Sequence, residues 1–135
     1  VKRARNIHTS FIDQGIFHKY MESGSFKRYV KKIRKYYKDR YDFTIKTIEK
    51  YIPYDKVLGN GGLYIFVKIN GLNTRDILKE CYKRNVVFMP GDIFFINKEE
   101  KNWMRIGFSR TSEEEIEEGI KIIGEVIFSL KSKNN

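Results

Sequence analysis

A chain of 135 residues is long enough to bury a core in one domain without metal or disulfide staples. Its formal charge of +10 suits an acidic partner such as nucleic acid, although lysine and arginine also make ordinary solvated helix faces. The single cysteine, Cys81, excludes a disulfide within the chain, and His8 and His18 have no cysteines around them to suggest zinc. No apolar run has membrane-spanning length and no signal-peptide core is present, so a soluble, cytoplasmic protein without a membrane partner is expected.

Residues 1–9 lack apolar periodicity and form a lead-in. Thr9 or Ser10 can cap a helix from about Phe11 to Met21, which Gly24 would end. A longer helix follows, because Phe26, Val30, Ile33, Tyr37, Thr44, Ile48 and Tyr51 advance mostly by three or four, with Tyr41 filling the gap. Ile52-Pro53 stops it, since proline disfavours helix in the preceding residue. Much of the positive charge lies here, on Lys27, Arg28, Lys31, Lys32, Arg34, Lys35, Lys38, Arg40, Lys46 and Lys50. It is read either as a solvated outer face or, with Tyr29, Tyr36 and Tyr37 interleaved, as a nucleic-acid surface.

The turn-rich run Leu58-Gly59-Asn60-Gly61-Gly62 leads into a strand over Leu63–Ile69, rich in aromatic and β-branched residues. Asn73 or Thr74 caps a helix over about 75–84, with Ile77, Leu78, Cys81 and Tyr82 inward and Asn85 as C-cap. A short strand over Val86–Met89 stops at Pro90-Gly91, and residues 92–97 are expected to be extended. Residues 98–102 are a charged, solvated loop.

Trp103-Met104-Arg105-Ile106-Gly107-Phe108-Ser109-Arg110 alternates strictly. Met104, Ile106 and Phe108 belong to the core face of a strand, and Trp103, Arg105, Gly107 and Ser109 to the other. A guanidinium there offers two parallel donors to a planar anion such as a carboxylate, although a mid-strand arginine more often lies on a solvated face or pairs with a local acid. The last helix, about Ser112 to Leu130, carries Ile116, Ile120, Ile123, Ile127 and Leu130 behind a capping box at Thr111/Glu114 or Ser112/Glu115, and 131–135 are a polar tail.

The order helix, long helix, strand, helix, strand, short strand, strand, helix predicts an α/β (α+β) sandwich. Its small mixed or antiparallel sheet of three to four strands would be covered by helices on one face, in a single domain over residues 1–135. No self-contained catalytic motif emerges. The run 59–62 precedes a strand rather than a helix and is a poor phosphate cradle, and acids such as Asp13, Asp92 and Glu99 have no histidine at a useful spacing.

Several segments, in order, resemble the C-terminal small domain of fold-type I pyridoxal-phosphate aminotransferases, especially the 2-aminoadipate-type enzymes and the aminotransferase-like half of MocR (GntR-family) transcription regulators. They are His8-Thr9-Ser10 with Gln14 and the run from Tyr20 to Tyr37; Gly61-Gly62-Leu63-Tyr64-Ile65; Val87-Phe88-Met89-Pro90-Gly91-Asp92-Ile93-Phe94; Met104-Arg105-Ile106-Gly107-Phe108-Ser109; and the closing helix from Ser112 to Ile120. The resemblance implies that Arg105 grips the α-carboxylate of an amino-acid or 2-oxo-acid substrate, and that Gly61 and Gly62 let backbone approach it closely. It also implies that the Schiff-base lysine and most pyridoxal-phosphate ligands belong to a large domain preceding residue 1. This chain would then be an excised domain that binds no cofactor and does not transaminate alone. The parent would be a homodimeric aminotransferase, or a regulator that meets DNA only through a separate N-terminal helix-turn-helix domain.

Overall fold

The computed structural model describes residues 10–96 and 100–134. Along them run α1 (Phe11–Glu22), α2 (Ser25–Tyr51), β1 (Lys56–Leu58), β2 (Tyr64–Lys68), α3 (Thr74–Tyr82), β3 (Met89–Pro90), a 3-10 turn (Gly91–Phe94), β4 (Trp103–Gly107) and α4 (Glu113–Asn134). The chain divides into two compact units, Val1–Tyr36 and Tyr37–Asn135, with α2 contributing to both. The lead-in 1–9, including His8 and Thr9, and residues 97–99 of the expected extended piece and charged loop lie outside the described residues.

In the first unit the cap of α1 is Ser10, whose Oγ accepts from the Asp13 amide at 3.3 Å. Gly24, at φ +70°, makes the turn into α2, and the Phe26 ring meets Phe17 and Tyr20 edge-on at 5.3 and 6.1 Å.

The second unit is a four-stranded antiparallel sheet in the order β1-β2-β4-β3, with helices on one face. Alternation does the sorting. Ile65 and Val67 of β2 and Met104 and Ile106 of β4 point to one side and are buried. There, with Phe108, they form one core with Ile48 of α2, Ile77 and Cys81 of α3, and Ile116, Ile120, Ile123 and Ile127 of α4. The expected α/β architecture, with its small sheet and one helix-covered face, is therefore present. Burial of the Cys81 thiol pushes its pKa up to about 11, so it is core rather than chemistry.

Helix ends follow the local chemistry. Ser112 and Glu115 form a reciprocal capping box for α4, with the Ser112 amide donating to Glu115 Oε2 at 2.6 Å and the Glu115 amide to Ser112 Oγ at 3.1 Å. Asn73 caps α3 through the Arg75 amide, and Asn85, at φ +59°, turns the chain after it.

Five sequence expectations change. β1 is an unanticipated edge strand, recruited by β2. The strand expected over 86–89 shrinks to Met89–Pro90, because the Val86 amide is spent closing the end of α3 on the Cys81 carbonyl. Residues 91–94 are a 3-10 turn rather than extended. Gly91 lies directly on the Trp103 backbone, where no Cβ fits, and Asp92, held by Arg75 Nε at 2.8 Å, folds the chain back. The polar tail is helical to Asn134, with Lys131 and Lys133 favouring the negative end of the α4 dipole. Finally, Arg40 is not on a solvated face: it is buried, and its Nε donates to the Phe108 carbonyl at 3.0 Å.

Candidate functional site

The sheet's other face carries the chemistry. Along β4, the residue between buried Met104 and buried Ile106 must point away from the helices, and Arg105 does so, half-buried. Register places Arg105 in a cross-strand row with Phe66 of β2 on one side and Met89 of β3 on the other, and Leu58 of β1 continues the row beyond Phe66.

Two aromatic rings hold the guanidinium. Its Cζ lies 4.2 Å from the centroid of Tyr64 and 4.6 Å from that of Phe94. Tyr64 sits diagonally across from Arg105, opposite Gly107, where a Cβ would stand 3.5 Å from the tyrosine ring. Phe94 arrives on the 3-10 turn and is braced edge-on against Phe66 at 5.3 Å. Each cation–π contact contributes about 0.5–1 kcal/mol and more when water is excluded, so the pair fixes the plane of the group.

Among the described residues no acid pairs with Arg105. Lys68, the next cation along β2, is engaged: its Nζ is 3.6 Å from Glu100 Oε2 and 5.5 Å from the centroid of Trp103. Glu100 also accepts from the Trp103 indole at 2.9 Å, so this part of the expected charged loop is tied down. What Arg105 presents is a fork of N–H donors packed against two rings, a shape that suits a planar anion.

Of the two glycines singled out with Arg105, Gly62 has φ +82° and needs glycine's freedom, whereas Gly61 has an ordinary backbone. Both are exposed, with open space where a Cβ would stand. Their turn abuts the end of β4, where the Phe108 amide donates to the Leu63 carbonyl at 3.4 Å, and two residues after Gly62 comes the ring that covers Arg105. The sequence reading overlooked Tyr64 and Phe94 as partners of Arg105. Tyr64 was findable, being on the outward face of a strand by alternation; Phe94 was not, because its position depends on the turn anchored by Asp92 and Arg75.

These residues do not fit a holder for a phosphorylated aldehyde cofactor. The glycine turn runs into a strand, so no helix N-terminus backs it, and the lysine on this face is already engaged by Glu100. Among the described residues no group of histidine, cysteine or acidic side chains could hold a metal ion, and no helix is long and apolar enough to cross a membrane.

The architecture is an antiparallel sheet backed by helices on one face, with Arg105 on the other, and comparison with known proteins places it in a family. The chain belongs to the aminotransferase class I and II family, whose model matches residues 3–123. Members of that family depend on pyridoxal phosphate. The chain is 33% identical over 130 residues to aromatic-amino-acid aminotransferase 1 of Thermococcus litoralis, covering 93% of this chain and 31% of that protein. Its fold matches that of LysN, the alpha-aminoadipate aminotransferase of Thermus thermophilus solved with N-(5'-phosphopyridoxyl)-L-leucine, at a TM-score of 0.80 and 22% identity, covering 97% of this chain and 34% of that one. A more distant match, 21% identical over 98% of this chain and 28% of the relative, is the uncharacterized HTH-type transcriptional regulator YdfD of Bacillus subtilis. The chain thus spans about a third of the length of the proteins it matches.

Proposed function

We propose that this chain is the substrate-carboxylate-binding domain of a pyridoxal-phosphate-dependent aminotransferase, with Arg105 as the receptor for the α-carboxylate of an amino acid or 2-oxo acid. The observation that carries the reading is a guanidinium with no acidic partner among the described residues, packed against two rings on the sheet face away from the helices. Pyridoxal phosphate supplies the electron sink for amino-group transfer. The resemblance gives its anchoring lysine and phosphate cradle to a cofactor-bearing large domain, with which this domain would work within a homodimer. Arg105 orients: a carboxylate held by two parallel N–H donors fixes the direction of the substrate's α-carbon. The turn at Gly61 and Gly62, without side chains, leaves room for the substrate beside it.

In the full-length protein, Arg105→Ala removes about 2–4 kcal/mol of binding to the carboxylate, expected as a roughly 30- to 1000-fold fall in kcat/KM, while Arg105→Lys keeps the charge but loses the fork and falls between. Unchanged kinetics would refute the assignment.

A second reading, the effector-sensing domain of a MocR-type regulator, is favoured by the match to YdfD. It uses the same Arg105. Amino-group transfer by the full-length protein supports the enzyme; amino-acid-dependent DNA binding without transfer supports the regulator. Within the basic run of α2, Lys38 pairs with Asp42 and Lys50 with Glu117, and Arg40 is buried.

A further inference from the structure

The two rings beside Arg105 reach it in different ways. Tyr64 is placed by the register of β2 on β4, two residues from Phe66, the direct partner of Arg105. Phe94 lies outside the sheet and depends on the turn that follows β3. Met89 is opposite Arg105 and Pro90 opposite Met104, so the chain is moving away from Arg105 when Gly91 reaches Trp103. The 3-10 turn reverses it and returns Phe94 to the guanidinium, with 4.6 Å between Cζ and the ring centroid. Asp92 holds that turn. It is buried, and its Oδ2 accepts from Arg75 Nε at 2.8 Å. Arg75 starts from a fixed point in the first turn of α3: its amide donates to the Asn73 cap at 2.9 Å, and the adjoining Thr74 hydroxyl donates to the Trp103 carbonyl at 2.8 Å. The start of α3 and Gly91 are thus both seated on Trp103, two residues before Arg105.

We infer that Arg75 and Asp92 are positioning residues for the carboxylate receptor: their ion pair closes the turn that sets the Phe94 ring against Arg105, and so orients the guanidinium before a ligand binds. The inference rests on Arg105 being that receptor. A buried carboxylate deprived of its cation is costly to keep from water, so without Arg75 the turn opens and takes Phe94 with it. A two-donor contact requires the guanidinium plane to match the carboxylate plane. An arginine already packed against a ring has lost the rotamer freedom that a loose one must give up on binding. Arg75 and Asp92 therefore act through Phe94, and their effect is confined to ligands that carry a carboxylate.

The test uses the full-length protein and two readouts: the NMR signal of Arg105 Nε–H without ligand, assigned by its loss in Arg105→Ala, and calorimetric binding of 3-phenylpropionate and of its uncharged amide. Arg75→Gln and the isosteric Asp92→Asn, which keeps the proposal testable should the first not fold, are each expected to move the Arg105 signal in the direction that Phe94→Ala moves it. Each is expected to weaken 3-phenylpropionate about two- to fivefold, the fold-change of one lost cation–π contact, and to leave the amide unchanged. In the Phe94→Ala background neither should weaken it further, and Arg75→Lys, which keeps the charge, should recover most of the loss. An Arg105 signal unmoved by both substitutions, equal losses for acid and amide, or losses that add in full to that of Phe94→Ala overturn the positioning role; abolished binding in Arg105→Ala then leaves the receptor standing. Binding of 3-phenylpropionate that is absent, or undiminished in Arg105→Ala, overturns the receptor and the positioning role together.

Discussion

Two glycines of one helix should respond to the same substitution with opposite signs. Gly119 and Gly124 both lie inside α4, so replacing either by alanine gains the same intrinsic helix propensity, about 1 kcal/mol. Their surroundings differ. A Cβ at Gly119 would find only Val86 Cγ1, at 4.0 Å, which is ordinary contact. A Cβ at Gly124 would overlap the Tyr51 carbonyl oxygen and lie 3.0 Å from its carbon. That obstacle is backbone at the end of α2, so no side-chain rotation relieves it. Overpacking of this kind costs about 1–3 kcal/mol, and a backbone clash belongs at the upper end. Gly119→Ala is therefore expected to stabilise by about 0.5–1 kcal/mol and Gly124→Ala to destabilise by about 2 kcal/mol. Urea unfolding, followed by helical circular dichroism and Trp103 fluorescence, measures both as midpoint shifts at constant slope. Gly124→Ala as stable as the unsubstituted chain would refute the packing of α4 against the last turn of α2.

Arg40→Met leaves the buried Phe108 carbonyl without its donor at the end of β4 and should destabilise by about 1–3 kcal/mol in the same assay; an unchanged midpoint would show that the bond contributes nothing. The Glu117 carboxyl is held below its usual 4.5 by hydrogen bonds from Lys50 and then Tyr51, linking α4 to α2. A lowered folded-state value means stability that is present above the ordinary carboxylate range and lost as pH falls through the lowered one. Glu117→Gln should therefore flatten the acid limb of the stability curve, and an identical limb would contradict the linkage.

What the sequence made legible was whatever depends on near neighbours. The Ser112/Glu115 box, the Asn73 cap and the stop before Pro53 are contacts over a few residues, and they fall where local chemistry puts them. Alternation over Trp103–Gly107 likewise assigned Arg105 to the face opposite the helices. Arg40 was misjudged because charge spoke louder than phase: it lies four residues before Thr44 and eight before Ile48, on the buried stripe, where its Nε meets the distant Phe108 carbonyl. The 3-10 turn that delivers Phe94 rests on Arg75 and Asp92, 17 positions apart, with no periodic trace of the pairing. The aromatic clamp on Arg105 is long-range in the same sense, since Tyr64 and Phe94 come from different elements.

The pairing of Arg105 with a substrate carboxylate is tested most directly by a thermodynamic cycle in the full-length protein. One side removes the guanidinium, with Arg105→Ala; the other removes the substrate's charge, by comparing an aromatic amino acid with its amide. If the two groups bind each other, kcat/KM for the acid falls steeply on substitution and kcat/KM for the amide barely moves, giving a coupling of about 2–3 kcal/mol. Equal losses for acid and amide, a coupling near zero, would mean that Arg105 does not hold the carboxylate.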